Sequence, residues 1–303
     1  MRALVTGASG LLGSNLCLLS CEKHEITGVT HRAGLKAAPF KTVSLDLTDD
    51  GAFQKLLQET TPQVVIHCAA LADVDACERD PQGAQQINAQ TPASMAALCQ
   101  AAGIGFLHIS TDAVFDGVKG DYCEEDEPNP LSVYARSKLE GECGVLAAHA
   151  GALVLRVNFY GFSLGGKRSL AEFFLNHLQA GEAVNGFTDV FFCPLYVADL
   201  VDIIWEMIAR DLIGLYHVVS PQHLSKYDFG MNIAAKFGLD GSLIRPVSVQ
   251  DGNLLARRSP NLTLRVDKLV NTGVTLPTLA AGLERFHKDF QEGHASKIRA
   301  LAG

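Results

Sequence analysis

None of the eight cysteines (Cys17, Cys21, Cys68, Cys77, Cys99, Cys123, Cys143 and Cys193) stands in a Cys-x-x-Cys pair. That pattern argues against a zinc site or a disulfide framework, and buried free thiols in a reducing compartment are expected. Positive charge is in the minority: 25 Lys and Arg against 33 Asp and Glu leave a net charge of −8, which argues against a broad nucleic-acid-binding face. No apolar run is long enough to span a bilayer, and a strand pattern that begins at residue 2 leaves no room for a signal peptide. A cytoplasmic protein that engages neither nucleic acid nor membrane is expected. No histidine pair has metal-ligand spacing, and no Ser-His-Asp nucleophile set is evident. Internal repeats and low-complexity tracts are also absent from the sequence.

What is present begins at the first residue. Arg2-Ala3-Leu4-Val5-Thr6 reads as a short buried strand and runs directly into Gly7-Ala8-Ser9-Gly10-Leu11-Leu12-Gly13, a glycine turn and an apolar helix start. Glycine serves where the backbone turns tightly or lies against a ligand. A diphosphate would sit on the free N–H groups and positive end of the following helix. An ordinary glycine-rich strand-to-helix turn is the alternative, and the position of the motif after an apolar strand favours nucleotide binding.

Along the chain, strand and helix patterns alternate. Glu25 to Thr30 reads as a second strand, followed by His31-Arg32 with no acid until Asp46. An acid near this point accepts from the adenosine ribose hydroxyls, whereas an arginine pairs with a 2′-phosphate, so Arg32 favours NADP(H) over NAD(H). Val43-Ser44-Leu45 reads as a third strand ending in Asp46-Leu47, where Asp46 could reach the adenine amine. Thr48-Asp49-Asp50 reads as a hydroxyl-capped helix start. Val64 to Cys68 is a buried-strand run that ends in the small residues Ala69-Ala70. Pro81 to Ala102 reads as one long helical stretch containing Asn88. Gly105 to Ile109 is a fifth strand, ending in Ser110-Thr111-Asp112. Such alternation predicts an α/β, doubly wound parallel sheet that binds ligands at the carboxyl ends of its strands.

Beyond residue 120 the pattern changes. Gly120 to Pro130 is a loop in which Glu124 to Glu127 reads as a solvated charge cluster, and a helix is expected from about Val133. Val154 to Val157 reads as a sixth strand. Further expectations are helices over Lys167–Ala180, Tyr196–Arg210 and Ser225–Phe237, an extended Val190–Cys193, and a strand over Leu215–Val219. The C-terminal third is expected to form a smaller lobe, with the 196–210 helix packed back on the first.

Tyr134 and Lys138 are four residues apart and share one face of a helix. A phenol titrates near ~10, and a neighbouring ammonium lowers that value by favouring phenolate. Tyr134 could then donate a proton to a substrate carbonyl oxygen while Lys138 holds ribose hydroxyls. Thr111 would supply a second hydrogen bond to that oxygen. Ser110 is the rival hydroxyl, and alternation along the strand sends Ser110 and Thr111 to opposite sides. A Tyr-x-x-x-Lys pair also arises by chance on helix surfaces. His67 and His108, in apolar strands, read as satisfied core histidines.

The segments Thr6 to Gly13, Cys68-Ala69-Ala70, Ser110 to Gly117 and Pro130 to Glu142 resemble the extended short-chain dehydrogenase/reductases. Within these, the chain is similar to the dTDP-4-dehydrorhamnose reductase family, which the stretches Pro194–Leu200, Gly214–Val218 and Arg258–Leu262 also fit. The resemblance implies a Rossmann NADP-binding domain over 1–160, with 194–212 packing back on it. Residues 161–193 and 213–303 would form a substrate-binding lobe for a nucleotide sugar. It implies Thr111, Tyr134 and Lys138 as the catalytic set. Cofactor contacts would come from Gly7, Ser9, Gly10, Leu11, Leu12 and Gly13. His31, Arg32, Asp46, Leu47, Cys68, Ala69 and Ala70 would add to them, as would Asn88 and Ser110. It also implies that Asn88 braces the active-site helix, and that Thr111, Asp112, Asn158 and Arg258 face the substrate. No metal ligand is implied, and a homodimer is the candidate assembly.

Several positions depart from the family pattern. Ser132 and Ala135 stand where Asn and Gly are usual, and Asn158-Phe159 replaces Ser-Trp. Nucleotide-sugar dehydratases carry Thr-Asp-Glu at the fifth strand end, whereas this chain has Thr111-Asp112-Ala113, which disfavours dehydration. NADPH-dependent reduction of a 4-keto sugar nucleotide is the leading expectation. The alternatives are an epimerase, a reductase of another ketone, or a cofactor-binding regulatory subunit like that of methionine adenosyltransferase.

Overall fold

The computed structural model describes residues 1–31, 34–251 and 259–303. The chain opens with β1 (Arg2–Thr6), α1 (Leu11–Ser20), β2 (Glu25–Thr30), β3 (Lys41–Ser44), α2 (Asp50–Thr60) and β4 (Val64–His67). It continues with α3 (Val74–Arg79), α4 (Pro81–Gln85), α5 (Thr91–Ala102), β5 (Gly105–Thr111), α6 (Val133–Ala148) and β6 (Leu153–Val157). There follow β7 (Phe159–Tyr160), α7 (Leu170–Gln179), β8 (Val184–Phe187), β9 (Phe191–Phe192), β10 (Leu195–Tyr196) and α8 (Val197–Ala209). The last elements are β11 (Gly214–Val218), β12 (Leu224–Ser225), α9 (Lys226–Phe237), β13 (Ile244–Val247), α10 (Asp267–Val270), α11 (Leu279–Gln291) and α12 (His294–Ala300).

Seven parallel strands form the central sheet in the order β11-β6-β5-β4-β1-β2-β3, so the expected doubly wound α/β architecture is present. Strand alternation explains its two apolar layers. Leu4, Val65, Phe106 and Val154 point to one face, against Phe53 of α2, Met95 of α5 and Val145 of α6. Ala3, Val5, Ile66 and Leu155 point to the other, against Leu16 of α1 and Ile204 of α8. The order reverses at β1, with β2 on one side and β4 on the other, and a crevice opens at such a switch point.

Among the described residues, three small pairs lie outside the sheet: β7 with β10, β8 with β13, and β9 with β12. Helix α8 packs against α1, and Trp205 Nε1 donates to Ser20 Oγ at 2.7 Å.

The structure corrects several local expectations. The strand at Gly214–Val218, assigned from sequence to the outer lobe, pairs with β6 and completes the central sheet. The stretch Pro81–Ala102 is not one helix. A π-type turn over Gln86–Gln90 separates α4 from α5, with Thr91 N–H bonding Gln86 O. Pro92 has no N–H to give the Asn88 carbonyl four residues earlier, so the regular ladder breaks there. The helix expected from Lys167 starts at Leu170, capped by Ser169, which leaves Lys167 and Arg168 in the preceding loop. The α2 cap is Asp49, which accepts from Ala52 N, while Thr48 donates its hydroxyl to Asp46 at 2.8 Å. Glu124 is not simply solvated: it accepts from His217 N at 2.8 Å, and burial raises its carboxyl.

Candidate active site

The turn after β1 is built so that backbone approaches backbone. Gly7 has φ +66°, and a Cβ there would lie 2.7 Å from Ala69 N. A Cβ on Gly13 would lie 2.2 Å from Gly7 O, so only glycine lets α1 start this close to β1. The N-cap Gly10 offers no side chain to the first turn of α1, which has no acid either. The N–H groups of Leu11, Leu12 and Gly13 therefore have no side-chain cap and present positive charge at the sheet crevice.

A cleft of about 320 Å³ opens there. Gly7, Ser9, Gly10, His31, Asp46, Leu47, Cys68, Ala69 and Ala70, all expected from the sequence near a cofactor, line it. The glycine cradle, the uncapped helix start and the small Ala69-Ala70 wall fit a dinucleotide. His31 Nε2 lies 3.9 Å from Asp46 Oδ2 at the outer rim. The Leu12 side chain is buried in the core, so only its backbone N–H can serve a ligand. Arg32, expected beside the adenosine, lies outside the described residues, as does Arg258.

Arg168 also lines this cleft and was missed. Its loop is pinned by Glu172, whose carboxylate accepts from Ser163 N, Ser163 Oγ and Arg168 N. Reading Lys167–Ala180 as one helix hid it. The signal was available in Ser169-Leu170-Ala171-Glu172, a capping box that marks the helix start one residue after Arg168.

Thr111 ends β5 and Tyr134 opens α6, where Ser132 Oγ caps Ala135 N at 3.2 Å. The Thr111 hydroxyl faces the phenol and lowers its pKa, but burial outweighs it and pushes Tyr134 up to about 12. The Asp112 and Cys77 charges add to that rise, and Lys138 does not offset it. The expected lowering of the phenol by Lys138 is thus not seen, because the ammonium turns inward. Lys138 Nζ donates to Ile109 O at 2.7 Å and lies 3.1 Å from His108 Nε2. Burial brings Lys138 down to about 8, against the opposing pull of Glu142 and Cys68. His108, expected as a satisfied core histidine, is buried with Nε2 against this ammonium and Nδ1 without a partner among the described residues.

Beside Tyr134 lies a second cavity of about 170 Å³, lined by Ala113, Ser132, Asn158, Phe191, Phe192, Lys226 and Ser259 among others. Asn158 Nδ2 donates to Asp112 Oδ2 at 2.5 Å, and Thr111 Oγ1 donates to Asp112 Oδ1 at 3.1 Å. Burial still raises Asp112 to about 6. Phe191 and Lys226 were not anticipated, since nothing local in β9 or at the start of α9 marks them as pocket residues.

Two predicted cofactor contacts are corrected. The Ser110 hydroxyl points away from the cleft and donates to Glu142 Oε1, as strand alternation from Thr111 requires. Asn88 is buried with its amide fully used: it takes Leu71 N–H at 2.9 Å and donates to Leu71 O and Ser137 Oγ, each at 3.0 Å. Asn88 thereby links Leu71 of the cleft wall to Ser137 of α6.

A family profile described as the RmlD substrate binding domain matches residues 1–292. The protein of Haloferax volcanii called "Probable low-salt glycan biosynthesis reductase Agl14" is 35% identical over 299 residues, 96% of this chain and 99% of that one. Methionine adenosyltransferase 2 subunit beta of Mus musculus is 31% identical over 281 residues, 90% of this chain and 83% of that one. The dTDP-4-dehydrorhamnose reductase of Bacillus anthracis, solved in complex with NADP, superposes with a TM-score of 0.85 at 29% identity, over 95% of this chain and 99% of that one. The Clostridium acetobutylicum dTDP-4-dehydrorhamnose reductase gives 0.83 at 28% identity, over 96% and 100%. The chain belongs to the RmlD family of the extended short-chain dehydrogenase/reductases.

Proposed function

We propose that the protein is an NADPH-dependent reductase of a 4-keto sugar nucleotide. The observation that carries this reading is Tyr134, which lines the second cavity beside the crevice, with the Thr111 hydroxyl against its phenol. When bound, the reduced nicotinamide would supply a hydride to a carbonyl carbon. Gly7, Ser9, Gly10 and the first-turn N–H groups of α1 would hold its diphosphate, and Arg168 would add charge from the opposite wall. Residues 1–160 with 194–212 would carry most of that cofactor, with Arg168 added from 161–193, while residues of 161–193 and 219–303 together with Asn158 would meet the sugar nucleotide.

Tyr134 would give its proton to the carbonyl oxygen. A phenol held at about 12 stays protonated at neutral pH, which suits a donor better than a base. Thr111 would hydrogen-bond the same oxygen as negative charge develops on it. Lys138, from one turn along α6, would hold the ribose hydroxyls. Asn158, Lys226 and Phe191 would meet the substrate.

A regulatory subunit is the second reading, favoured by the 31% identity to the methionine adenosyltransferase subunit. The Thr111, Tyr134 and Lys138 set weighs against it, since a purely regulatory site has no need of a proton donor. The experiment that tests the proposal is NADPH oxidation with a panel of 4-keto-6-deoxy sugar nucleotides. Turnover with net oxidation supports it. Retained cofactor with no net oxidation favours an epimerase, and no turnover together with capture of a transferase partner favours the regulatory reading.

A further inference from the structure

His108 lies on β5 three residues before Thr111 and is fully buried. Its ring stacks on His67 of β4, with centroids 5.4 Å apart, and its Nε2 stands 3.1 Å from Lys138 Nζ. A lysine ammonium carries three protons. One goes to Ile109 O and a second faces His108 Nε2, which leaves a single proton uncommitted. An imidazole nitrogen accepts only when it is unprotonated, so the arrangement requires a neutral ring with its proton on Nδ1. Within the described structure that Nδ1 has no partner. A buried polar atom left unmatched is costly, and a histidine kept for packing alone would gain nothing from it.

We propose that His108 is a positioning residue for the reaction above. Its Nε2 accepts from the Lys138 ammonium, fixes the direction of the one remaining proton, and keeps that nitrogen charged. The proposal rests on the reductase reading for its purpose, but the hydrogen bond itself does not. The groups that face the pair are His67 and Cys68 from β4 and its following turn, and Glu142 from α6. Burial and the neighbouring Lys138 and His67 hold the His108 ring well below the usual imidazole range, so it remains an acceptor across neutral pH. Burial alone works against the lysine charge, and removing an acceptor would push the ammonium further down.

Two substitutions separate this role from packing. His108→Phe keeps a stacked ring and removes the acceptor. His108→Gln loses the ring and returns an oxygen near the place of Nε2. The readouts are the Lys138 titration followed by NMR on protein labelled at lysine, thermal stability, and the pH profile of NADPH oxidation. The expected result is a Lys138 midpoint lowered by about one unit in the Phe variant, with the alkaline limb of the rate profile moving the same way. The Gln variant should stay near the wild type. A histidine kept only for packing predicts the reverse: an unmoved titration with Phe and a destabilised protein with Gln. Nitrogen NMR of the wild-type histidines needs no variant, and a His108 protonated on Nε2 would overturn the proposal. A shifted lysine midpoint in a protein that reduces none of the ketones would uphold the His108 assignment and reject the reductase reading.

Discussion

Glu142 and Arg156 form an ion pair sealed behind the sheet: Arg156 Nη2 lies 2.7 Å from Glu142 Oε2, and both side chains are 3% exposed. Arg156 Nε also donates to both carboxylate oxygens, and Ser110 takes up the remaining acceptor capacity. Removing one partner leaves an uncompensated buried charge. Arg156→Met should therefore cost about 3–5 kcal/mol in urea unfolding. The double variant with Glu142→Gln should recover part of that loss.

Arg168 reaches the cofactor cleft from a loop that Glu172 pins in place. Replacing it with alanine would remove the proposed charge-assisted contact to a phosphate and nothing from the reacting groups. Arg168→Ala should raise the KM for NADPH about tenfold and leave kcat nearly unchanged. Steady-state kinetics at saturating ketone separates the two parameters.

Much of this site was legible in the sequence because backbone geometry demanded particular residues. Gly7 and Gly13 had to be glycine for strand and helix to meet, and Thr111 had to face opposite Ser110 once β5 was recognised. What was not legible depended on tertiary partners. The recruitment of β11 beside β6 joins segments 61 residues apart in register, Arg156 with His217, and no local pattern specifies that pairing. The inward-turned Lys138 meets His108 and the Ile109 carbonyl, 30 and 29 residues away on another element. The break before α5 was readable from Pro92, but its consequence for Asn88 was not, because the freed carbonyl is packed against Gly141 of α6.

Asp112 titrates at about 6 in the folded protein and near ~3.9 when unfolded. The raised value means that folding favours the neutral acid. Its stabilising contribution is complete below the unfolded pKa and disappears as pH rises through about 6. Asp112→Asn should be more stable than the wild type at pH 7.5, by up to about 3 kcal/mol, and should lose that advantage by about pH 4. Denaturant midpoints at both pH values check the sign.

At Gly13 an added methyl would meet the Gly7 carbonyl at 2.2 Å. Backbone cannot yield as a flexible side chain would, so the start of α1 must shift away from the turn. Gly13→Ala should lose NADPH binding by at least tenfold, on the order of 1.4 kcal/mol, as read by cofactor fluorescence. The fold should persist, since the sheet and both apolar layers remain.

If the Tyr134 phenol supplies the proton that completes ketone reduction, its removal must slow the chemical step. Single-turnover oxidation of NADPH by the wild type and by Tyr134→Phe, with a 4-keto-6-deoxy sugar nucleotide as acceptor, tests it most directly. The expected rate in the variant is lower by about 10²-fold or more, with cofactor affinity and thermal stability retained. Oxidation by the variant at the wild-type rate would contradict it.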